Sequence, residues 1–278
     1  MTDFAPTSDS VRSSLSAVQM PLHTANSFHP ASNAEVRFFT GSKATLLDWL
    51  SSKTESGTAI AVCNTHMIST AMHDSVLCAA LERFNFAICD GQPVAWLVGH
   101  WARRSVARIT GPEIFEHIVN ERLDQLRIVL VWGDEAKHAD LAATLSEQQL
   151  RNVLQISPGW VKDGQGPNDD LIAMLLAFKP HIVFVGLGCP KQEKWIAQAV
   201  DRVPAHFLGV GAAFDYRLGR LQRAPALMQR LGAEWVFRAV QQPQLARRYL
   251  TTALPFARLL ASAVVARLRP GNSAAKTK

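Results

Sequence analysis

Asp90, in the stretch ICDGQPV, follows directly on an apolar run. A carboxylate in that position is costly unless it is hydrated, paired or put to use. One use is chemical: a general base beside a bound hydroxyl, its pKa raised by partial burial. The other is structural, as a cap for a helix that begins near Pro93. Asn64 and Asp215 end comparable apolar runs and carry the same two alternatives.

The stretch GLGCPKQEKW offers a different chemistry. Gly186 and Gly188 let backbone approach a ligand or turn tightly. Pro190 suits a first helical turn, where its missing N–H costs nothing. The helix that follows would aim free N–H groups at an anion, with Lys191 adding a full charge. Gln192 and Glu193 could each hydrogen-bond a sugar or a base. The run resembles a dinucleotide G-x-G-x-x-G, but Lys191 stands where the third glycine belongs, and a tight turn with no ligand is the structural alternative. Gly91 and Gly111 mark two further loops of the same kind.

Absent patterns narrow the field. The chain has no G-x-x-x-x-G-K-[ST], no H-E-x-x-H and no G-x-S-x-G. It also has no D-x-D, the usual carboxylate pair that holds Mg²⁺ or Mn²⁺ on a sugar nucleotide's diphosphate. A departing diphosphate would therefore be stabilised by arginines and helix N-termini, and no metal or cofactor is expected.

Charge is unevenly placed. From Arg217 onward there are 12 Lys or Arg and one acid, Glu234, so the end carries +11 while residues 1–216 carry −5. A solvated helical tail is one reading. The other is an anion-binding surface for phosphates or acidic headgroups. Aromatic residues are not interleaved with these arginines, so nucleic acid ranks lowest. The final apolar stretch, LPFARLLASAVVARLR, is too short to span a bilayer. It is read as an interfacial helix, with packing on the core or on another subunit as the alternative.

These residues need a scaffold, and the apolar periodicity supplies one. Residues 1–33 lack periodicity and read as a mobile arm. From residue 34, strand-like runs (EVRFFT, TAIAVCN, FAICDG, VARIT, LRIVLVWG, NVLQIS, HIVFVGLG, AHFLGVG) are separated mostly by helical ones, including a long one from His66 to about Phe84. This rhythm predicts an α/β fold with a Rossmann-like, doubly wound, mostly parallel sheet over residues 34–216, followed by a basic helical appendage over 217–278. Such sheets bind ligands at the carboxyl ends of their strands, which is where the residues above fall. The four cysteines form no C-x-x-C pair and read as buried thiols of a reducing compartment. The N-terminal stretch lacks a basic segment followed by an apolar run, so no secretory signal is expected.

Taken together and in order, CDGQPV, RITGPE, VFVGLGCPKQEKWI, GVGAAFDYRLGRLQRAP and GAEWVFRAVQQP resemble the WecG/TagA/CpsF family, glycosyltransferase family 26, from about Glu35 to about Tyr249. The resemblance implies an inverting, metal-independent glycosyltransferase. Its donor would be a UDP-sugar of N-acetylmannosamine, N-acetylmannosaminuronate or glucose type. Its acceptor would be a saccharide on undecaprenyl diphosphate at the inner face of a bacterial membrane, for surface polysaccharide synthesis. It implies Asp90 as general base, with Asn64, Arg108 and Gln192 lining the substrate pocket and Asp215 near the nucleotide or sugar. Appendage arginines are implied at Arg238, Arg247 and Arg248, and Arg223 falls within the fourth motif. The chain departs from the pattern at Val62, where the family has threonine, at Glu113 for the acid of the G-x-D type motif, and at Gln242-Pro243-Gln244-Leu245. The expected enzyme is cytoplasmic and peripheral to the inner membrane, with a homo-oligomer left open. A nucleotide-dependent oxidoreductase and a non-catalytic membrane scaffold are the alternatives.

Overall fold

The computed structural model describes residues 16–21, 35–133 and 135–268. Eight strands form one sheet: β1 (Ala17–Pro21), β2 (Glu35–Phe39), β3 (Thr58–Cys63), β4 (Phe86–Cys89), β5 (Ile128–Val131), β6 (Val153–Ile156), β7 (Ile182–Val185) and β8 (His206–Gly209). Their order is β1-β2-β4-β3-β8-β7-β5-β6, parallel throughout except for β1 against β2. The central strands β3, β4, β5, β7 and β8 are buried along their whole length, as the continuous apolar runs require.

Among the described residues, thirteen helices surround the sheet. The first four are α1 (Lys43–Leu50), α2 (Thr65–Ala71), α3 (Ser75–Glu82) and α4 (Gln92–Ala102). Next come α5 (Gly111–His117), continued by a π turn (Ile118–Arg122), then α6 (Glu135–Ala142), α7 (Glu147–Leu150), α8 (Asp169–Phe178) and α9 (Lys191–Ala199). The C-terminal part holds α10 (Ala213–Arg217), α11 (Ala226–Arg230), α12 (Glu234–Gln241) and α13 (Ala246–Leu268). Alternation along each strand divides the core in two. Ala59, Ala61, Val183 and Val185 join Met67, Leu77, Leu97, Leu175 and Trp195 on one face. Ile60, Val62, Ile182 and Phe184 join Leu47, Phe115, Leu141 and Phe214 on the other. In sheets of this kind, chain segments that leave neighbouring strand ends for opposite faces leave a crevice at the carboxyl edge.

Four expectations need correction. Ala17–Pro21, placed within the mobile arm, is instead an edge strand whose Met20 is fully buried. Five residues are too few to show a period, and only the long-range partner β2 gives them a structure. The helical run from His66 breaks at Asp74, whose carboxylate caps α3 by accepting from the Leu77 N–H at 2.9 Å. VARIT is no strand: β2 and β3 already flank β4, so only a single bridge, Cys89 to Arg108, forms at its carboxyl end. Residues 254–268 of the last apolar stretch lie within α13 and turn Phe256, Leu259 and Ala263 into the core, against α2 and α4. The Ser69 hydroxyl donates to the Thr252 carbonyl at 2.9 Å to hold it there.

Candidate active site

Asp90 leaves the end of β4 between two neighbours that fix its backbone. Its N–H donates to the Cys63 carbonyl at 2.9 Å, and Gly91 follows with φ 108°, a conformation L side chains rarely adopt. Gly91, not Asp90, occupies the cap of α4, and that cap has no side-chain hydrogen bond. The capping alternative for Asp90 therefore fails. It holds for Asn64, whose Oδ1 accepts from the Met67 N–H at 3.0 Å at the start of α2. Asp215 lies half-buried in the first turn of α10 and does not cap it.

The Asp90 carboxyl is pushed up to about 6, first by burial and then by the Glu234 carboxylate, against the opposing pull of Arg223, Arg238 and Arg108. Those five charges come from four separate parts of the chain. The bridge to Cys89 carries Arg108 to the end of β4, and the turn before α11 carries Arg223. Glu234 and Arg238 stand four residues apart on one face of α12.

Glu113 ties two of the cations together. Its Oε1 accepts from Arg108 at 2.7 Å and from Arg223 at 3.2 Å. Arg108 also donates to Gln229 Oε1 at 3.1 Å, which fastens α11 to the sheet edge. Arg223 and Arg238 both approach the Tyr216 ring, at 5.4 and 5.5 Å from its centroid. Two unit charges about 6 Å apart repel by about 3 kcal/mol at an effective dielectric of 20. Two of the three guanidinium groups share the Glu113 carboxylate and, among the described residues, Arg238 has no carboxylate hydrogen bond, so an anionic ligand would relieve the repulsion among them. Arg108 Nη1 and Arg238 Nε are buried N–H donors with no partner, consistent with that reading.

The glycines divide by role. A Cβ on Gly186 would lie 2.4 Å from Phe214, and one on Gly111 3.3 Å from the Val210 Cα, so both are set by close packing. Gly188 is different: its φ is 77° and a Cβ there would meet nothing within 4 Å, so it borders open space. The Cys189–Pro190 bond is cis, and Pro190 stands at the N-cap of α9, one position before the first turn.

Two residues of this loop are placed otherwise than expected. Lys191 donates to the Val161 carbonyl at 3.0 Å and lies under the Trp160 ring, so its charge is drawn away from the turn. Glu193, expected to contact a sugar or base, is 1% exposed beneath the crevice, because α9 buries that face on β8 and β3. Gln192, 4% exposed, donates to it at 2.7 Å. Arg247 and Arg248 lie in the first turn of α13, but their side chains are outside the described residues.

Tyr216 and Gln229 escaped the sequence reading, and Glu113 entered it only as a departure from a motif. One signal did mark Glu234: it is the only acid after Arg217, four residues before Arg238. Among the described residues, no three His, Cys, Asp or Glu side chains converge as a metal site, and no helix is long and apolar enough to cross a membrane.

A half-buried carboxylate, flanking guanidinium groups and a glycine turn thus lie at the carboxyl edge of a parallel sheet. The model of the glycosyl transferase WecG/TagA/CpsF family matches residues 32–270, and the chain belongs to that family of glycosyltransferases.

Proposed function

We propose that this glycosyltransferase performs a single, inverting displacement without a metal ion, moving a sugar from a UDP-sugar to a saccharide carried on undecaprenyl diphosphate. Asp90 takes the proton of an acceptor hydroxyl as that oxygen forms its bond to the anomeric carbon. The bond from the anomeric carbon to the UDP oxygen breaks at the same time, and the electron pair leaves with UDP. The observation that carries this reading is Asp90 itself: a half-buried carboxylate outside any cap, raised to about 6, facing three arginines. A base with a pKa slightly below neutrality is ionised when needed and still basic enough to accept a proton. Arg108, Arg223 and Arg238 then offset the charge that develops on the diphosphate, with Arg247 and Arg248 assigned to the same task.

The donor sugar is of N-acetylmannosamine, N-acetylmannosaminuronate or glucose type. The enzyme works at the inner face of a bacterial membrane, held by its basic C-terminal appendage. Exposed Leu227, Leu231, Trp235, Val236 and Val240 on and beside α11 and α12 support that placement, because apolar side chains close to arginines suit an interface with anionic headgroups.

The test is UDP release across a panel of UDP-sugars with a lipid-linked acceptor, in the presence of chelator. Release with one donor only, unaffected by chelator, is the expected result. A strict Mg²⁺ requirement would overturn the metal-independent chemistry. Tight NADH binding without UDP binding would favour an oxidoreductase instead.

A further inference from the structure

Gln192 and Glu193 open α9 at the carboxyl edge of the sheet, and both are buried. Their side chains meet at 2.7 Å, Gln192 Nε2 to Glu193 Oε1. The remaining oxygens, Gln192 Oε1 and Glu193 Oε2, are buried and have no hydrogen-bond partner. A buried carboxylate oxygen without a donor is among the most expensive groups a protein can hold. Nothing near it compensates in full. The backbone N–H of Glu193 and the Cys189 thiol give hydrogen bonds, and Cys63 at the end of β3 faces Glu193 as a neutral thiol. The nearest cation, Lys194, is committed to Asp74 at 2.7 Å and Asp163 at 2.9 Å.

Adding a proton to Glu193 and turning the Gln192 amide over resolves the conflict. The nitrogen and oxygen of a glutamine amide are interchangeable in placement, and the hydrogen-bond network decides between them. A protonated Glu193 donates O–H to the Gln192 carbonyl oxygen, and the 2.7 Å separation is the usual one for O–H···O and short for N–H···O. No charge is then buried, and the two groups left without a partner, one Glu193 oxygen and the Gln192 NH₂, are both neutral. Burial pushes the Glu193 carboxyl up to about 7, against hydrogen bonds from Gln192, its own backbone N–H and Cys189 and the charge of Lys194.

The amide matters because of where it lies. A Cβ on Gly209 would be 2.7 Å from its nitrogen position, so the amide covers the end of β8, between the 186–190 turn and β3. We infer that Glu193 is carried as a neutral acid whose proton fixes the Gln192 amide with its NH₂ group as the free end, a donor for anionic oxygens of the ligand. Glu193 is thus a positioning residue acting through Gln192. Its ligand half rests on the proposed UDP-sugar reading, since a diphosphate presents only acceptors. The protonation half stands without it.

The experiment therefore begins with no substrate. Infrared difference spectra of the whole protein between about pH 5.5 and 8.5 should show a protonated-carboxyl band that disappears in Glu193→Gln. Thermal melting adds a sign. A carboxyl raised in the folded state stabilises below its unfolded pKa, and that stability is lost as pH rises through about 7. Glu193→Gln lacks the charge, so its melting temperature relative to the natural protein should rise by a few degrees between pH 5.5 and 8.5. No band assignable to Glu193, or a Glu193→Gln protein that melts lower at pH 8.5, overturns the inference. With the active donor, Glu193→Ala should lower kcat/KM about tenfold or more, and Glu193→Gln should recover it and lose the decline above pH 7. Failure of Glu193→Gln to recover it would overturn the positioning role. If no UDP-sugar is used at all, the proposed function fails while the band and the melting shift still decide the protonation.

Discussion

Two charged clusters sit on the same edge of the sheet and behave in opposite ways. Around Lys194, 5% exposed, every charge is spent: Asp74 and Asp163 both bond its ammonium, and Asp74 caps α3 as well. Burial acts against both ionised forms, but the hydrogen bonds win, leaving Asp74 lowered and Lys194 raised. Around Asp90 the balance is reversed. Burial wins, the carboxyl rises to about 6, and two buried guanidinium N–H groups nearby have no partner. Charges that satisfy one another hold a fold together. Charges held close with donors left unsatisfied are what a ligand site needs, and that difference, rather than charge itself, separates the structural cluster from the candidate site.

The comparison breaks most readily at Asp90. Asp90→Asn should lower kcat by about 10²–10⁴-fold, the usual worth of general-base assistance, with UDP affinity nearly unchanged. Turnover close to normal in a steady-state UDP-release assay would return Asp90 to a structural role. A smaller loss is expected at the leaving group. Arg238→Ala removes a charge-assisted contact worth about 1.5–3 kcal/mol, or about 10–100-fold in kcat/KM, and leaves the melting temperature little changed.

Lys194→Met should do the reverse. It leaves Asp74 and Asp163 without their cation and should cost about 2 kcal/mol in a denaturant titration. That is below the 3–5 kcal/mol of a fully buried pair, because water reaches Asp163. Because Asp74 is lowered in the folded state, its stabilisation is present above its unfolded pKa and lost as pH falls. The variant should therefore lose part of that acid-side decline.

The smallest effect sharpens the comparison most. Asp90 must be ionised to act, so kcat/KM should fall as pH drops through about 6. Glu234→Gln removes a negative neighbour, stabilises the Asp90 carboxylate and should move this limb to lower pH. A limb that stays in place would show that Glu234 does not act on Asp90.

Much of the scaffold was legible in the sequence. Apolar runs of four or five residues ending in Asn64, Asp90 or Gly186 mark buried parallel strands, and their polar ends mark the edge where the candidate site lies. The order of the motifs along the chain carries the resemblance to its family. The departures were legible only in part. Ala17–Pro21 is a strand because β2 lies beside it, and VARIT is not one because β4 had no free side. Arg108 came to Asp90 through that single bridge, a placement no local pattern contains.

Residue types along the chain determined which groups could do chemistry: an acid after a strand, a glycine turn, an arginine-rich end. Tertiary structure decided which of them were left free to do it. Lys191 was drawn off to Trp160, Glu193 sank beneath the crevice, and Glu113 gathered two arginines from distant segments. The physical reason is that the cost of a charge depends on burial and on partners tens to hundreds of residues away. Sequence spacing records neither.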